Sequence, residues 1–323
     1  MSGSPATPLF VDLADPTLAA CPRDALPGVV VAYCRGLPPE SAAPWLDHAT
    51  FTLTEDSTAD RRMVQVESID SAVTAITENV GLRPVAAAVC DDVLRADAAR
   101  AGTLSGLITE SLAYSTLQAG PEFARWLADQ GPRQTHRQDD PVLLDRDGSS
   151  LEISFNRPTR HNAFSNALRA GLIDALTVVL ADLTVDSVTL SGQGRSFCSG
   201  GDLTEFGMFT DPANSHLART RYSLGLLLDA VAEGLGPHFR ARVHGAVLGS
   251  GLEMASFCPH VSAHPSTIFG LPELQLGLLP GAGGTVSIPR RIGRWRTAFL
   301  VLSGRRIDAT TALDWGLIDA IDV

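Results

Sequence analysis

Glu253 and Glu273 each stand beside a glycine-bearing turn, in Leu-Gly-Ser-Gly-Leu-Glu-Met-Ala-Ser (248–256) and in Phe-Gly-Leu-Pro-Glu-Leu-Gln-Leu-Gly-Leu-Leu-Pro-Gly-Ala-Gly-Gly-Thr (269–285). Two carboxyls flanking a bound enone can serve as base and acid for adding water across its double bond. Ser199, in Phe-Cys-Ser-Gly-Gly-Asp-Leu (197–203), and Ser250 also sit next to glycines at strand ends. There the backbone can leave ordinary φ/ψ space, and the first N–H groups of a following helix lack intrahelical partners. Two such N–H groups converging on one point would form an oxyanion hole for a thioester carbonyl that becomes an enolate. Taken singly, these features also read as ordinary strand-to-helix turns. Ser250 and Glu253 further spell a capping box, in which the glutamate bonds the serine N–H. The capping box and the oxyanion hole compete for one hydrogen, the N–H of Ser250.

Strands and helices must position these groups. In the first half, residues 27–34 and 83–90 read as buried strands, 48–55 as an alternating strand, and 68–80 as an amphipathic helix. Residues 107–128 read as helical with an interruption at Gly120-Pro121. Ala128 to Pro141 is polar and Gly/Pro-punctuated, and is expected to be a linker between residues 1–140 and residues 141–323. Beyond it, residues 149–158 and 187–192 read as strands, 162–182 and 220–235 as helices, 238–251 as a strand reaching a tight turn, and 252–258 as the next helix. This alternation implies an α/β fold with sites at the carboxyl ends of strands. Residues 72–89 and 226–247 share a helix, Gly, Pro, strand pattern, so the first half is a candidate degenerate copy of the second.

Composition narrows the function. The 323 residues carry a net charge of −11, which disfavours nucleic acid and anionic membrane surfaces as partners. All 25 basic residues are arginines, which excludes a Walker A lysine, a pyridoxal-phosphate Schiff base and a lysine nucleophile. Five cysteines without C-x-x-C spacing fit free thiols and a cytoplasmic location. No signal peptide is visible, and no apolar run approaches the roughly 18 residues needed to span a bilayer. His260 and His264 have metal-like spacing, but the flanking Pro259 and Pro265 argue against a helical ligand face, so no metal is expected. Cys198 reads as a buried filler rather than a nucleophile.

Asn-Arg-Pro-Thr-Arg-His-Asn-Ala-Phe (156–164), Gly-Arg-Ser-Phe-Cys-Ser-Gly-Gly-Asp-Leu (194–203), residues 244–256, residues 268–285 and Leu-Ser-Gly-Arg-Arg-Ile-Asp (302–308) follow one another in an order that resembles the enoyl-CoA hydratase/isomerase (crotonase) superfamily. The resemblance covers about residues 142–323. It implies a spiral of ββα units for residues 141–323. It assigns the oxyanion N–H groups to Ser199 and Ser250, the two hydratase glutamates to Glu253 and Glu273, and a backbone contact near the reacting centre to Gly281. Arg157 and Arg160 fall where the family contacts coenzyme A, and Gly200, Asp202 and Gly249 complete the implied substrate-binding set.

The implied reaction is syn addition of water to a trans-2-enoyl-CoA, with CoA as part of the substrate, no separate cofactor and a homo-oligomeric assembly. An enoyl-CoA isomerase on the same scaffold and a non-catalytic CoA-thioester-binding protein are the alternatives. Serine stands at 250 where the family usually has glycine or alanine. Leu271 near Glu273 implies a drier pocket with a raised carboxyl pKa. Residues 316–323 come about where the family begins the C-terminal helices that cover the acyl group. The first half is expected to be non-catalytic and to pack where a neighbouring subunit or those helices would lie.

Overall fold

The computed structural model describes residues 7–21, 28–96, 101–131, 134 and 139–322. Residues 132, 133 and 135–138 of the expected linker lie outside the described residues.

The first half opens with a four-stranded parallel sheet in the order β1 (Leu9–Asp12), β2 (Val30–Cys34), β3 (Phe51–Thr54), β4 (Met63–Gln65). Side chains alternate across a strand. Accordingly, Val30, Ala32 and Cys34 pack with Trp45 and Leu46 of α1 (Ala43–His48), whereas Val31, Phe51 and Leu53 join the main core. Four helices follow: α2 (Ile69–Leu82), α3 (Pro84–Arg95), α4 (Thr103–Gln118) and α5 (Pro121–Asp129).

The interruption expected at Gly120-Pro121 separates α4 from α5. Residues 83–90, expected as a strand, instead begin α3. Pro84 occupies its first turn, where no N–H is needed, and the Glu122 carboxylate accepts from the N–H groups of Val85 (2.9 Å) and Ala86 (3.0 Å). A short alanine-rich apolar run satisfies either element, and here the cap decides. The pairing of residues 72–89 with 226–247 fails at the same place, because one member ends in a helix and the other in a strand.

In the second half, β5 (Val142–Asp147), which the sequence reading missed, pairs antiparallel with β6 (Ser150–Phe155). The chain continues through α6 (Asn166–Ala181), β7 (Ser187–Gly192), α7 (Pro212–Arg221), also missed, and α8 (Leu224–Leu235). Residues 238–251 form two strands rather than one, β8 (Phe239–Val243) and β9 (Ala246–Leu248). Gly245 (φ +60°), packed against the Arg195 carbonyl, bends the chain between them.

Then come α9 (Ser250–Ala255), β10 (His260–Ala263), β11 (Ile268–Gly270), α10 (Gly284–Ser303, bent at Gly293), β12 (Ile307–Asp308), α11 (Ala309–Trp315) and β13 (Ala320–Ile321). One sheet runs β13-β10-β8-β7-β6-β5 and the other β12-β11-β9. Successive strands therefore enter the two sheets alternately, β8 then β9 and β10 then β11, which makes each ββα unit one turn of a spiral.

One apolar core extends from Val29 to Ile318 and takes residues from both halves. Helix α10 packs against α2, α3 and α4, and Phe51 of β3 meets Phe299 of α10 edge-on at 5.5 Å. The first half is thus packed onto the last long helix of the second.

Candidate active site

Two glycine turns are joined by a single parallel bridge between Cys198 and Val247. Cys198 N–H donates to the Ala246 carbonyl (3.2 Å), and Leu248 N–H donates to the Cys198 carbonyl (3.0 Å). Gly251 fits closely there, since a Cβ would lie 2.5 Å from the Cys198 carbonyl oxygen. Gly200 (φ +100°) and Gly249 (φ +47°, ψ −124°) then turn against each other. Both conformations favour glycine.

The Ser199 expectation is corrected here. Ser199 N–H is committed to the His161 carbonyl at 3.0 Å. Two residues on, Phe164 N–H donates to the Gly200 carbonyl and Asp202 N–H to the Phe164 carbonyl, forming a parallel bridge opposite Gly201. A residue opposite a bridge turns its own N–H away from the partner strand. Among the described residues no acceptor takes the N–H of Gly201 or of Ser250. Backbone alternation therefore makes Gly201, not Ser199, the free donor of this turn. The capping box is also absent: Gly249 is the N-cap of α9, with no side-chain cap bond.

Glu253 turns instead to the glycine loop before α10. Its Oε2 accepts from the N–H groups of Ala282 (2.6 Å) and Gly284 (2.8 Å). Glu110 of α4, in the half expected to be non-catalytic, takes the alternate donors. Its Oε1 accepts from Gly283 N–H (2.8 Å), and its Oε2 accepts from Thr285 N–H (2.9 Å) and hydroxyl (2.7 Å). Glu273, at the start of the 3-10 turn Glu273–Leu276, lies over Gly249, where a Cβ would come 2.4 Å from Glu273 Oε1. Glu273 Oε2 is buried with no hydrogen-bond partner.

Burial raises all three carboxyls. Glu110 is pushed up to about 7 against its bonds to Thr285 and Gly283, and Glu273 to about 8, with help from the charge of Glu110. That is the direction expected from the apolar Leu271. Glu253 is raised well above its ordinary value, by burial and by the charges of Glu273 and Glu110, while its two N–H donors oppose the rise. N–H donors at a helix N-terminus favour a carboxylate, so Glu273, whose Oε2 has no partner and whose one donor is its own backbone N–H, is better placed than Glu253 to keep a proton.

These residues line one cavity of about 380 Å³, together with Ser199, Gly200, Gly201, Ser250 and Gly281. Phe164, Phe206, Leu107, Leu224 and Leu276 form apolar wall, and Tyr114 of α4 covers Gly281, where a Cβ would lie 2.3 Å from the ring.

Of the residues expected to bind substrate, Gly200, Gly249 and Gly281 are in this region. Arg157 is not available to a phosphate: it is 1% exposed, its Nη2 donates to Asp202 Oδ2 (2.8 Å) and its Nη1 to the Ala163 carbonyl. Asp202 is 2% exposed. Its carboxyl, bonded to Thr204 and Arg157, is held below the usual range despite burial. The pair ties residues 157–163 to the Gly200 turn and is structural. Arg160 is 38% exposed and 3.7 Å from Asp202, which leaves its guanidinium open to solvent. The Cys198 thiol is buried and pushed up to about 12, unsuited to a nucleophile.

The sequence reading missed Glu110 and Tyr114, although a signal for both exists. Glu110, Ser111, Tyr114, Ser115 and Gln118 recur at helical spacing, as do Leu104, Ile108 and Leu112. Leu104, Ile108 and Leu112 are exposed, whereas Glu110, Ser111 and Ser115 are buried. A helix that buries its polar stripe covers something polar.

Residues 145–323 match the enoyl-CoA hydratase/isomerase family, and the chain belongs to that family. It is 34% identical over 180 residues to the 2,3-dehydroadipyl-CoA hydratase of Escherichia coli, a match spanning 56% of this chain and 68% of that protein. It is 37% identical over 164 residues to a probable enoyl-CoA hydratase of Bacillus subtilis, spanning 50% of this chain and 62% of the relative. Among solved structures, the enoyl-CoA hydratase of Mycobacterium smegmatis superposes with a TM-score of 0.50 at 27% identity, covering 56% of this chain and 69% of the other. Among the described residues, no helix is long and apolar enough to cross a membrane.

Proposed function

We propose that this chain is an enoyl-CoA hydratase that adds water syn across the double bond of a trans-2-enoyl-CoA. The observation that carries the reading is the pairing of two buried carboxyls, Glu253 with Oε2 held by two loop N–H groups and Glu273 with Oε2 unpartnered, beside two N–H groups that have no acceptor.

In this mechanism the thioester oxygen lies between the N–H groups of Gly201 and Ser250. Glu253 Oε2 is held by the loop, and its Oε1 takes a proton from water as the water oxygen bonds to the β-carbon. The π electrons of the double bond move toward the carbonyl, and the N–H pair stabilises the resulting enolate. Glu273 then delivers its proton to the α-carbon, on the same face. Water is consumed, Glu253 has gained a proton and Glu273 has lost one, and transfer between them through solvent restores the starting state. Arg160 is the candidate contact for the CoA phosphates.

Product analysis tests the reading. With trans-2-enoyl-CoA substrates the expected product is the 3-hydroxyacyl-CoA. Double-bond migration in a trans-3-enoyl-CoA without hydration would instead favour the isomerase.

A further inference from the structure

The same cavity holds two guanidinium groups, Arg169 and Arg219, whose direct hydrogen-bond partners are all neutral, with Glu110 acting on Arg219 only through the field of its charge. Arg219 of α7 donates through Nε to Ser111 Oγ (3.0 Å), through Nη1 to Gln118 Oε1 (3.2 Å), and through Nη2 to Ser115 Oγ (2.5 Å) and the Ser111 carbonyl (3.4 Å). Arg169 of α6 donates through Nη2 to the carbonyls of Ala218 (3.1 Å) and Tyr222. Every one of these acceptors is neutral. Among the described residues neither arginine has a carboxylate within ion-pairing distance.

The cavity's own carboxyls are engaged elsewhere. Glu110 and Glu253 are on the glycine loop, Glu205 is on Asn166 N–H (2.7 Å), and Asp202 is on Arg157. Burial disfavours the charge of Arg219 and Arg169 adds to that, while Tyr114 and Glu110 oppose it. Two partly buried arginines without an ion-pair contact leave this side of the cavity suited to an anion that is not part of the chain.

Position identifies the source of that anion. Arg219 stacks on Tyr114, 4.7 Å from the ring centroid, and the Cδ2–Cε2 edge of the same ring covers Gly281 beside the loop that holds Glu253. One aromatic side chain thus touches both the cation and the glycine loop. The CoA phosphates are separated from the thioester by the whole pantetheine arm, whereas the far end of a short acyl chain lies within this reach. Phe164, Phe206 and Leu224 supply apolar wall for the methylenes between. We propose that Arg169 and Arg219 form a subsite for a terminal carboxylate, so that the preferred substrates are enoyl thioesters of short dicarboxylic acids.

The proposal rests on the hydratase reading only for the bond that reacts, so binding and turnover are measured separately on the full chain. Calorimetry compares adipoyl-CoA with hexanoyl-CoA, which have equal length and differ in the terminal carboxylate. Kinetics compares trans-2-hexenedioyl-CoA with trans-2-hexenoyl-CoA. The expected preference for the dicarboxylyl member is about 10- to 100-fold in each, the range of charge-assisted hydrogen bonds. The ratio should fall toward one in R169Q and R219Q and be partly retained in R219K, with circular dichroism checking each fold. Equal affinity for both thioesters in the parent chain overturns the subsite. So does a variant that loses free CoA as much as adipoyl-CoA, which would assign the arginines to phosphate. A binding preference without turnover of any enoyl thioester keeps the subsite and overturns the hydratase reading instead.

Discussion

Glu110 and Glu253 divide the N–H groups of one loop between them: Glu253 takes those of Ala282 and Gly284, and Glu110 those of Gly283 and Thr285. Gly283 is left-handed (φ +103°) where the loop enters α10, and the four successive N–H groups point alternately to the two carboxyls, which clamp the turn from both sides. On this reading Glu253 is a catalytic residue and Glu110 a positioning residue. Glu253→Gln should lower kcat by about 10²- to 10⁴-fold with little change in KM. Glu110→Gln should lower kcat less and shift the pH profile, because it removes one acceptor and one neighbouring charge. Steady-state kinetics on a trans-2-enoyl-CoA checks both, and hydration that survives Glu253→Gln unchanged removes that residue as the base.

The acid cluster sets a pH dependence of fixed sign. The folded pKa values of Glu110 (about 7) and Glu273 (about 8) lie above the ordinary carboxyl value of 4.5, so the folded chain binds more protons than the unfolded one. Their contribution to stability is complete below pH 4.5 and is lost as pH rises through about 7 and about 8. The urea midpoint should fall from pH 5 to pH 9, and hydration should fall above about pH 8 as Glu273 loses its proton. Glu273→Gln should be inactive yet more stable than the parent at pH 9, by on the order of 1 kcal/mol. A parent midpoint that rises over this range contradicts the assignment.

Ser250 separates the backbone donor from the side chain. Its hydroxyl is buried without a partner, so Ser250→Ala should keep activity within about threefold and cost little stability. Ser250 opens α9, the helical position where proline is tolerated, so Ser250→Pro removes the N–H while suiting the helix. It should lower kcat by about 10²- to 10³-fold. Comparable kcat in the two variants would mean that this N–H does not hold the thioester oxygen.

At Gly249 geometry leaves no room for a side chain. Gly249→Ala forces a Cβ onto Glu273 Oε1 at a φ of +47°, so it should displace the acid and cost about 1–3 kcal/mol. A crystal structure of the variant and its kcat check this, with unaltered Glu273 and unaltered activity as the contrary outcome.

The two arginines of residues 156–164 should differ in kind. Arg157→Ala leaves Asp202 buried and unpaired, an expected loss of about 3–5 kcal/mol. Arg160→Ala should leave the melting temperature nearly unchanged and weaken CoA-thioester binding. Thermal melts and calorimetry on both variants give the comparison, and equal destabilisation by the two would make Arg160 structural as well.

Much of the site was legible because its parts are local signals: a glycine beside a serine, an acid one turn into a helix, a second acid after Pro272. What remained hidden depends on relations across the chain. Ser199 and Gly201 differ only in which way the backbone faces, and that is set by the bridge to Phe164. Arg157 reads as a ligand contact until Asp202, 45 residues on, is seen closing on it. Residues 83–90 satisfy both periodicities until Glu122 caps them. Glu110 belongs to a half with no catalytic signature, and only the burial of the polar stripe on α4 betrays its partner.

That stripe has a consequence for synthesis. Glu110 leaves the ribosome 173 residues before Gly283, the nearest of its loop donors in sequence. At the usual pace of about 5–20 residues per second, the delay is about 10–35 seconds. Throughout it, a carboxylate built for burial stays hydrated on a helix whose other face is leucine and isoleucine. The loop cannot close on Glu110 before Gly283 and Thr285 have been made, so a nascent chain stalled between the two positions would hold α4 without the partner of its polar stripe.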